Sequence, residues 1–390
     1  RFGQFETFLG GGISLPFEEV RWSVCANSEG RREGNNVEPI KVGVIGAGSI
    51  SEMHFESYQH HDDVEVYAVC DLNGQRAKAK AEKYGAEKYF TDYRQLLDLP
   101  EIDAVSVCTW NDSHAEISIA ALNSGKHVLV EKPLCKTVEE ALAIEKAVQE
   151  SNGKVLQVGF VRRFGTNTQV LKKFIDAGDL GDIYYAKASC LRVLGNPGGW
   201  FADKERSGGG PLIDLGVHVI DLCWYLMGKP KVQSVSGNTY SRLGNRSNVE
   251  NKSFYKAADY DRHKNTVEDL ANAMIRFENG ASLMVDVSFT LHAKGESVAV
   301  NVYGEKGGAE VEPELQITTE KHNTILNATP QIDALSFDFK KGFQNEIDHF
   351  VSCLKGDVET ICPVQDGVEI MKILAGVYES SEKGKEIYLS

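Results

Sequence analysis

Between residues 40 and 159 the chain alternates short apolar runs with stretches whose apolar positions recur every three or four residues. The runs at 41–45, 64–70, 104–109, 127–130 and 155–158 predict buried strands, and the amphipathic stretches between them, such as 113–122 and 138–148, predict helices. Repeated strand-helix-strand units require a parallel sheet covered on both faces, hence a doubly wound α/β domain over 39–159. Beyond residue 160 the rhythm changes. A helix near 168–177 leads into longer, half-apolar segments at 182–193, 232–240, 269–277, 281–290 and 297–303, with Asn279-Gly280 marking a hairpin between two of them. Residues 160–390 therefore read as an α+β domain with a large, mainly antiparallel sheet, closed by helices near 343–354 and 366–381. The polar stretch 242–265 reads as a long loop able to serve as a lid. Residues 1–38 precede a complete domain start and read as an arm, whose Phe2, Phe5, Phe8, Phe17 and Trp22 would dock on a neighbouring subunit.

One segment departs from this pattern by being apolar on all sides. Residues 211–227 are interrupted almost only by Asp214, His218 and Asp221, at spacings of four and three that put them on one stripe of a helix. Gly208 to Gly210 and Pro211 mark its start, and Gly228 with Pro230 marks its end. Burying a carboxylate and an imidazole is costly, which leaves two readings: proton chemistry, or an aspartate holding a core histidine. A third reading, a metal site built from Asp214, His218 and Asp221, lacks the further His or Glu partners at fixed spacing that a catalytic zinc centre uses, so no metal is expected.

The first strand runs directly into Gly46-Ala47-Gly48-Ser49-Ile50-Ser51. Glycines at Gly46 and Gly48 let the backbone turn tightly and approach a pyrophosphate, which the following helix N-terminus would favour. The second strand ends at Asp71, at the distance of the acid that hydrogen-bonds the adenosine ribose and repels a 2′-phosphate. The expected cofactor is therefore NAD rather than NADP, with Arg76 the one residue arguing the other way. Ser51 stands at the third glycine position of this fingerprint.

Charge and cysteine usage narrow the partners. The formal net charge is −14, and no basic tract exceeds Arg162-Arg163, so a phosphate-backbone footprint is missing and nucleic acid is not an expected partner. Eight scattered cysteines, none in a Cys-x-x-Cys pair, read as buried thiols of a cytoplasmic protein. No run approaches the roughly 18 apolar residues of a membrane span.

The fifth strand ends in Glu131-Lys132-Pro133, and ligands of open α/β sheets lie beyond the carboxyl ends of strands, so Lys132 would emerge near a nicotinamide. Together Val44-Ile45-Gly46-Ala47-Gly48, Cys108-Thr109-Trp110-Asn111-Asp112-Ser113-His114, Glu131-Lys132-Pro133 and Asp214 with His218 resemble the glucose-fructose oxidoreductase, inositol dehydrogenase and rhizopine-catabolism family. The resemblance extends from about residue 40 to the C-terminus. It implies a Rossmann domain, an α/β substrate domain and a homo-oligomer, and it matches Lys132, Asp214 and His218 to a catalytic lysine and an Asp-x-x-x-His pair. Thr109, Asn111, Glu131 and Lys132 match positions that line the cofactor, alongside Ser49, Ile50 and His114. Trp110 stands where proline is common and would reshape the nicotinamide pocket.

Oxidising a secondary alcohol sends a hydride to the nicotinamide while the hydroxyl proton departs, which calls for a base and a group that stabilises alkoxide charge. His218 is the expected base, oriented by Asp214, and Lys132 would hydrogen-bond the reacting oxygen; which of the two takes the proton stays open. Arg163, Asn196 and Trp200, with Asp203 and Lys204, are the candidates for a sugar pocket, Trp200 as a stacking platform. The stretch 195–201 looks like members acting on glucosides, including those oxidising the C3 hydroxyl. A sugar or glycoside dehydrogenase is the expectation, a cyclitol dehydrogenase the near alternative, and a non-catalytic NAD-binding sensor the alternative of another class.

Overall fold

A computed structural model describes residues 38–257 and 260–389. The arm expected over 1–38, with its aromatic residues, lies outside the described residues apart from Glu38. From Pro39 onward the chain forms one compact unit.

The first sheet has six strands, β1 (Ile40–Ile45), β2 (Val64–Cys70), β3 (Lys88–Phe90), β4 (Ala104–Val107), β5 (His127–Glu131) and β6 (Leu156–Gly159), all parallel, in the order β3-β2-β1-β4-β5-β6. Its central strands are buried along most of their length because helices cover both faces, which is why they read as apolar runs rather than alternations. The order reverses between β1 and β4. That switch point opens a crevice at the carboxyl ends of the strands, where Gly46, Asp71, Thr109 and Lys132 all emerge.

The second sheet has nine strands: β7 (Ile183–Leu191), β8 (Val232–Tyr240), β9 (Leu270–Phe277), β10 (Ser282–Ser288), β11 (Ser297–Gly304), β12 (Gly307–Glu312), β13 (Gln316–Lys321), β14 (Thr324–Ala328) and β15 (Ile387–Tyr388). Their order is β14-β13-β12-β11-β7-β10-β9-β8-β15, and only β7 and β10 run parallel. The Asn279-Gly280 hairpin joins β9 to β10 with Gly280 at φ 87°. One face, carrying Ala186, Ala188, Val285 and Val287, packs on the helix Val217–Leu226 within the main core. The opposite face carries Tyr185, Tyr303, Met274 and Met284, with Tyr185 stacked on Tyr303 at 5.5 Å.

The division at residue 159 is crossed by the end of the chain. The helix Phe339–Leu354 puts Ile347, Phe350 and Val351 into a core with Val42, Val44 and Phe55, so the chain returns to the first sheet after building the second. The helix Val364–Lys383 packs between the helix Val138–Glu150 and β8. These two helices tie the halves together and fix the cleft between them. Among the described residues no helix is long and apolar enough to cross a membrane.

Candidate active site

The glycine turn has the geometry that a dinucleotide needs. Gly46 sits at φ +96°, and a Cβ there would lie 2.4 Å from the Cys108 carbonyl oxygen, so only glycine fits. Nothing lies within 4 Å of where a Gly48 Cβ would be, which leaves its backbone open to an approaching phosphate. The Ser51 hydroxyl donates to the Gly48 carbonyl at 2.7 Å, so the serine at the third fingerprint position braces the turn. Asp71 accepts from the Ala47 and Asn73 amides at 2.9 and 2.8 Å, with Arg76 3.6 Å away, which holds its carboxylate at the rim. A cavity of about 1130 Å³ opens here, and Gly46, Gly48, Ser49, Ile50, Asp71, Thr109 and Trp110 line it. The open glycine backbone, the helix start and the rim carboxylate together fit NAD.

Three other residues expected at the cofactor form its support. Asn111 is buried and donates to the Ser207 carbonyl at 2.8 Å, joining the two halves of the chain. His114 is fully buried, its ring nitrogens 2.8 Å from the Pro133 carbonyl and 3.2 Å from that of Thr109, so it braces the turn that presents Lys132. Burial lowers its pKa below the usual histidine value. Glu131 is buried and bonded to His54 Nε2 at 2.8 Å, and His54 Nδ1 meets the Ser106 hydroxyl, which also meets Tyr58. Glu346, from the returning helix, is fully buried with neither carboxylate oxygen partnered among the described residues. Desolvation and the neighbouring Glu131 charge push its pKa well up. The sequence reading missed it, although its position between Phe343 and Ile347 on the apolar face of an amphipathic helix was the available signal.

At the junction of the halves Lys132 Nζ lies 2.9 Å from Asp214 Oδ1 and 3.1 Å from the Asp214 carbonyl oxygen. Asp214 sits on a wide π-helical turn, Leu212–Gly216, which relaxes into the α-helix Val217–Leu226 carrying His218. The expectation that Asp214 orients the His218 ring needs correcting. An i,i+4 pair faces one way in a regular α-helix, but this wider turn offsets the two side chains and the carboxylate meets Lys132 instead. Among the described residues no hydrogen bond joins Asp214 to His218. His218 Nδ1 is buried and unpartnered, while the ring itself is only partly covered. Desolvation, then the charges of Lys132, Arg162 and Arg192, hold its pKa well below the usual 6.5, so the imidazole is neutral.

The glycine-rich lead-in is explained by packing. A Cβ on Gly209 would meet the Tyr378 hydroxyl at 2.0 Å, and one on Gly210 the Glu268 carbonyl oxygen at 2.5 Å. The Glu268 carboxylate accepts from the Gly210 and Leu212 amides at 2.9 and 3.2 Å and from Tyr378 at 2.8 Å, capping the key helix from the stretch just before β9. Nothing local in sequence pointed to Glu268.

The sugar-pocket candidates separate. Arg163 is fully buried and spent on Asp221 and Asp366, so it cannot reach a ligand; the guanidiniums near His218 are those of Arg162 and Arg192. Asp221 accordingly leaves the stripe and faces inward. Asn196 is also buried, accepting from the Gly198 amide and donating to Asn265, both at 2.9 Å, so it organises its own loop. Asp203 caps the short helix Lys204–Ser207 by accepting from the Glu205 amide. Trp200 lines the same cavity as the glycine turn.

Comparison with known proteins agrees with this geometry. Residues 40–160 match the family model described as "Oxidoreductase family, NAD-binding Rossmann fold", and residues 172–389 match "Oxidoreductase family, C-terminal alpha/beta domain". The D-glucoside 3-dehydrogenase of Escherichia coli is 34% identical over 354 residues, covering 90% of this chain and 98% of that protein. The myo-inositol 2-dehydrogenase of Thermotoga maritima is 31% identical over 271 residues, covering 69% and 74%. A levoglucosan dehydrogenase in complex with NADH and L-sorbose superimposes with a TM-score of 0.79 at 25% identity, covering 90% of this chain and 99% of that one.

Proposed function

Since this chain belongs to the Gfo/Idh/MocA family of NAD-binding oxidoreductases, we propose that it oxidises a secondary hydroxyl of a glycoside, with the C3 position of a glucoside the preferred case. The observation that carries the reading is the meeting of Lys132 with Asp214 at 2.9 Å beside a neutral His218, in a chain whose glycine turn opens on a cavity fit for NAD.

When bound, the nicotinamide accepts the hydride from the carbinol carbon. The protein's share is proton handling and charge. Lys132, held by Asp214, would donate to the reacting oxygen and favour its alkoxide character. His218 is neutral because of its burial and its cationic neighbours, and it would take the hydroxyl proton. Asp214 steers the lysine rather than the imidazole, so carboxylate and base act through different partners. Arg162, already paired with Glu312, and Arg192, which donates to the Gly195 carbonyl, would offer only their remaining N–H groups to the other hydroxyls.

The test is a panel of free sugars, alkyl and aryl glucosides and inositols incubated with NAD, following reduced cofactor and identifying the keto product. A 3-keto glycoside is expected. Turnover of inositols alone would move the assignment to cyclitols, and no turnover of any kind alongside tight NAD binding would favour a sensor.

The outer face of the second sheet supports a homo-oligomer, because Tyr303 and Met284 are 40% and 36% exposed on an otherwise well-formed strand surface. We propose that this face and residues 1–38 contact neighbouring subunits. Light scattering should give a multiple of the chain mass, and Tyr303→Lys with Met284→Lys should lower it; a monomeric parent overturns the assignment. Seven cysteines among the described residues are all buried and free, which supports a reducing, cytoplasmic setting.

A further inference from the structure

The cavity beside the glycine turn is not built by the first sheet alone. Three of its lining residues, Trp200, Phe201 and Tyr255, come from the second half of the chain. Trp200 and Phe201 sit on a single 3₁₀ turn, Gly199–Ala202, with ring centroids 3.9 Å apart and planes 29° apart. Tyr255, from the long loop after β8, meets Phe201 edge-on at 6.4 Å.

These rings are carried on a braced support. The Ala257 amide donates to the Pro197 carbonyl at 2.7 Å, and the Thr266 amide to that of Ala202 at 2.9 Å, so the turn and the loop are hydrogen-bonded to each other. Gly198 lies at φ +67° with the Tyr260 ring 2.0 Å from where a Cβ would be, so the loop packs directly on the backbone that presents Trp200. A second bridge crosses the cleft nearby, where the Arg206 guanidinium stacks 4.3 Å from the Trp110 ring centroid. Unlike the core aromatics, Trp200 and Phe201 are only partly covered and Tyr255 is 54% exposed. Large aromatic faces left open along a cavity of this size call for a planar, apolar-faced occupant, and a dinucleotide offers two such rings.

We propose that Trp200, Phe201 and Tyr255 form an aromatic flap that packs on the bound dinucleotide and sets its rate of release. The proposal rests on the dinucleotide reading of the same cavity. It makes the part of the long loop after β8 that carries Tyr255 a clamp for cofactor. A flap of this kind makes reduced-cofactor departure slow relative to hydride transfer, a common limit on turnover in enzymes with closing loops.

NADH release from the full chain can be followed by its own fluorescence after mixing with excess ADP-ribose. Trp200→Ala and Tyr255→Ala are each expected to release NADH about tenfold faster than the parent, with Kd raised by a similar factor, as loss of one stacking partner implies. Trp200→Phe should stay within about threefold of the parent, because it keeps a planar ring. The KM for NAD should rise in the alanine variants while the KM for the sugar stays constant. Tyr255 is largely exposed, so Tyr255→Ala tests the flap even if Trp200→Ala perturbs folding. Unchanged release in both alanine variants overturns the flap alone, and a raised sugar KM with unchanged release returns Trp200 to the substrate site. Failure of the parent to bind NADH overturns the dinucleotide reading and the flap with it.

Discussion

Replacing Lys132 with alanine is expected to lower kcat for glycoside oxidation by about 10³-fold, in the range found when one preorganised donor to a developing oxyanion is removed. The ammonium is the only group of the proposed trio supplied by the first half of the chain, and it is held by two acceptors of Asp214 at 2.9 and 3.1 Å. Its loss removes the donor to the reacting oxygen and leaves Asp214 facing that oxygen with an unopposed negative charge, so both changes raise the barrier. Lys132→Arg should recover little, since a planar fork cannot occupy the position of a compact ammonium. NADH affinity should stay within about threefold, because Lys132 does not line the dinucleotide cavity. A loss in kcat below tenfold with normal NADH binding would sink the assignment.

The pH dependence tests His218 as the proton acceptor. A base works while neutral, and His218 is held neutral to well below 6.5 by desolvation and by Lys132, Arg162 and Arg192. Its protonation, and with it the fall in kcat/KM, therefore occurs only as pH drops through that lowered value. The parent should show no titration step near 6.5 between pH 8 and pH 6. His218→Ala should lose about 10²-fold or more in kcat at every pH in that window. A descending limb centred at 6.5 would show that the ring is solvated and free of the surrounding cations.

The parts of this molecule legible in sequence are those where local spacing and burial coincide. The parallel strands of the first sheet read as apolar runs because both faces are covered, and the Gly46 turn reads because only glycine tolerates the Cys108 carbonyl oxygen so close. β13 and β14 did not read, since β14 is exposed along its whole length and its sequence carries no two-residue alternation. The Lys132–Asp214 pair spans 82 residues and could be inferred only by resemblance, whereas the supposed Asp214–His218 pair followed from an ideal α-helical spacing that the π turn removes. Glu268 reaches the key helix from the stretch just before β9 and leaves no local mark, whereas Glu346 is marked only by its place between the apolar positions Phe343 and Ile347 of its helix. Arg163 was misread for the reason that basic residues after a strand end so often face a cleft.

Arg163 gives the largest expected effect on stability. Its guanidinium is fully buried, with Nε and Nη2 on the two oxygens of Asp221 at 3.0 and 2.5 Å, and Nη1 on Asp366 Oδ2 at 2.5 Å and the Ile361 carbonyl at 2.6 Å. The Phe160 and Tyr225 rings flank it. Burial opposes its charge, but Asp221 and Asp366 more than offset that and push its pKa up. Asp221, whose own burial already raises it to about 6 against the pull of Arg163 and, more weakly, Lys229, has no other hydrogen-bond partner among the described residues. Arg163→Leu leaves Asp221 buried and unpaired and should cost about 3–5 kcal/mol, read as a lowered urea midpoint of the full chain. The cost should be greater at pH 8 than at pH 5.5. An orphaned acid whose folded pKa lies above its unfolded value destabilises the fold as pH rises through that interval, and protonation at the lower pH relieves it. Arg163→Leu combined with Asp221→Asn should recover much of the loss, because the uncompensated charge is then gone. An unchanged urea midpoint together with a raised sugar KM would instead put this arginine on the ligand.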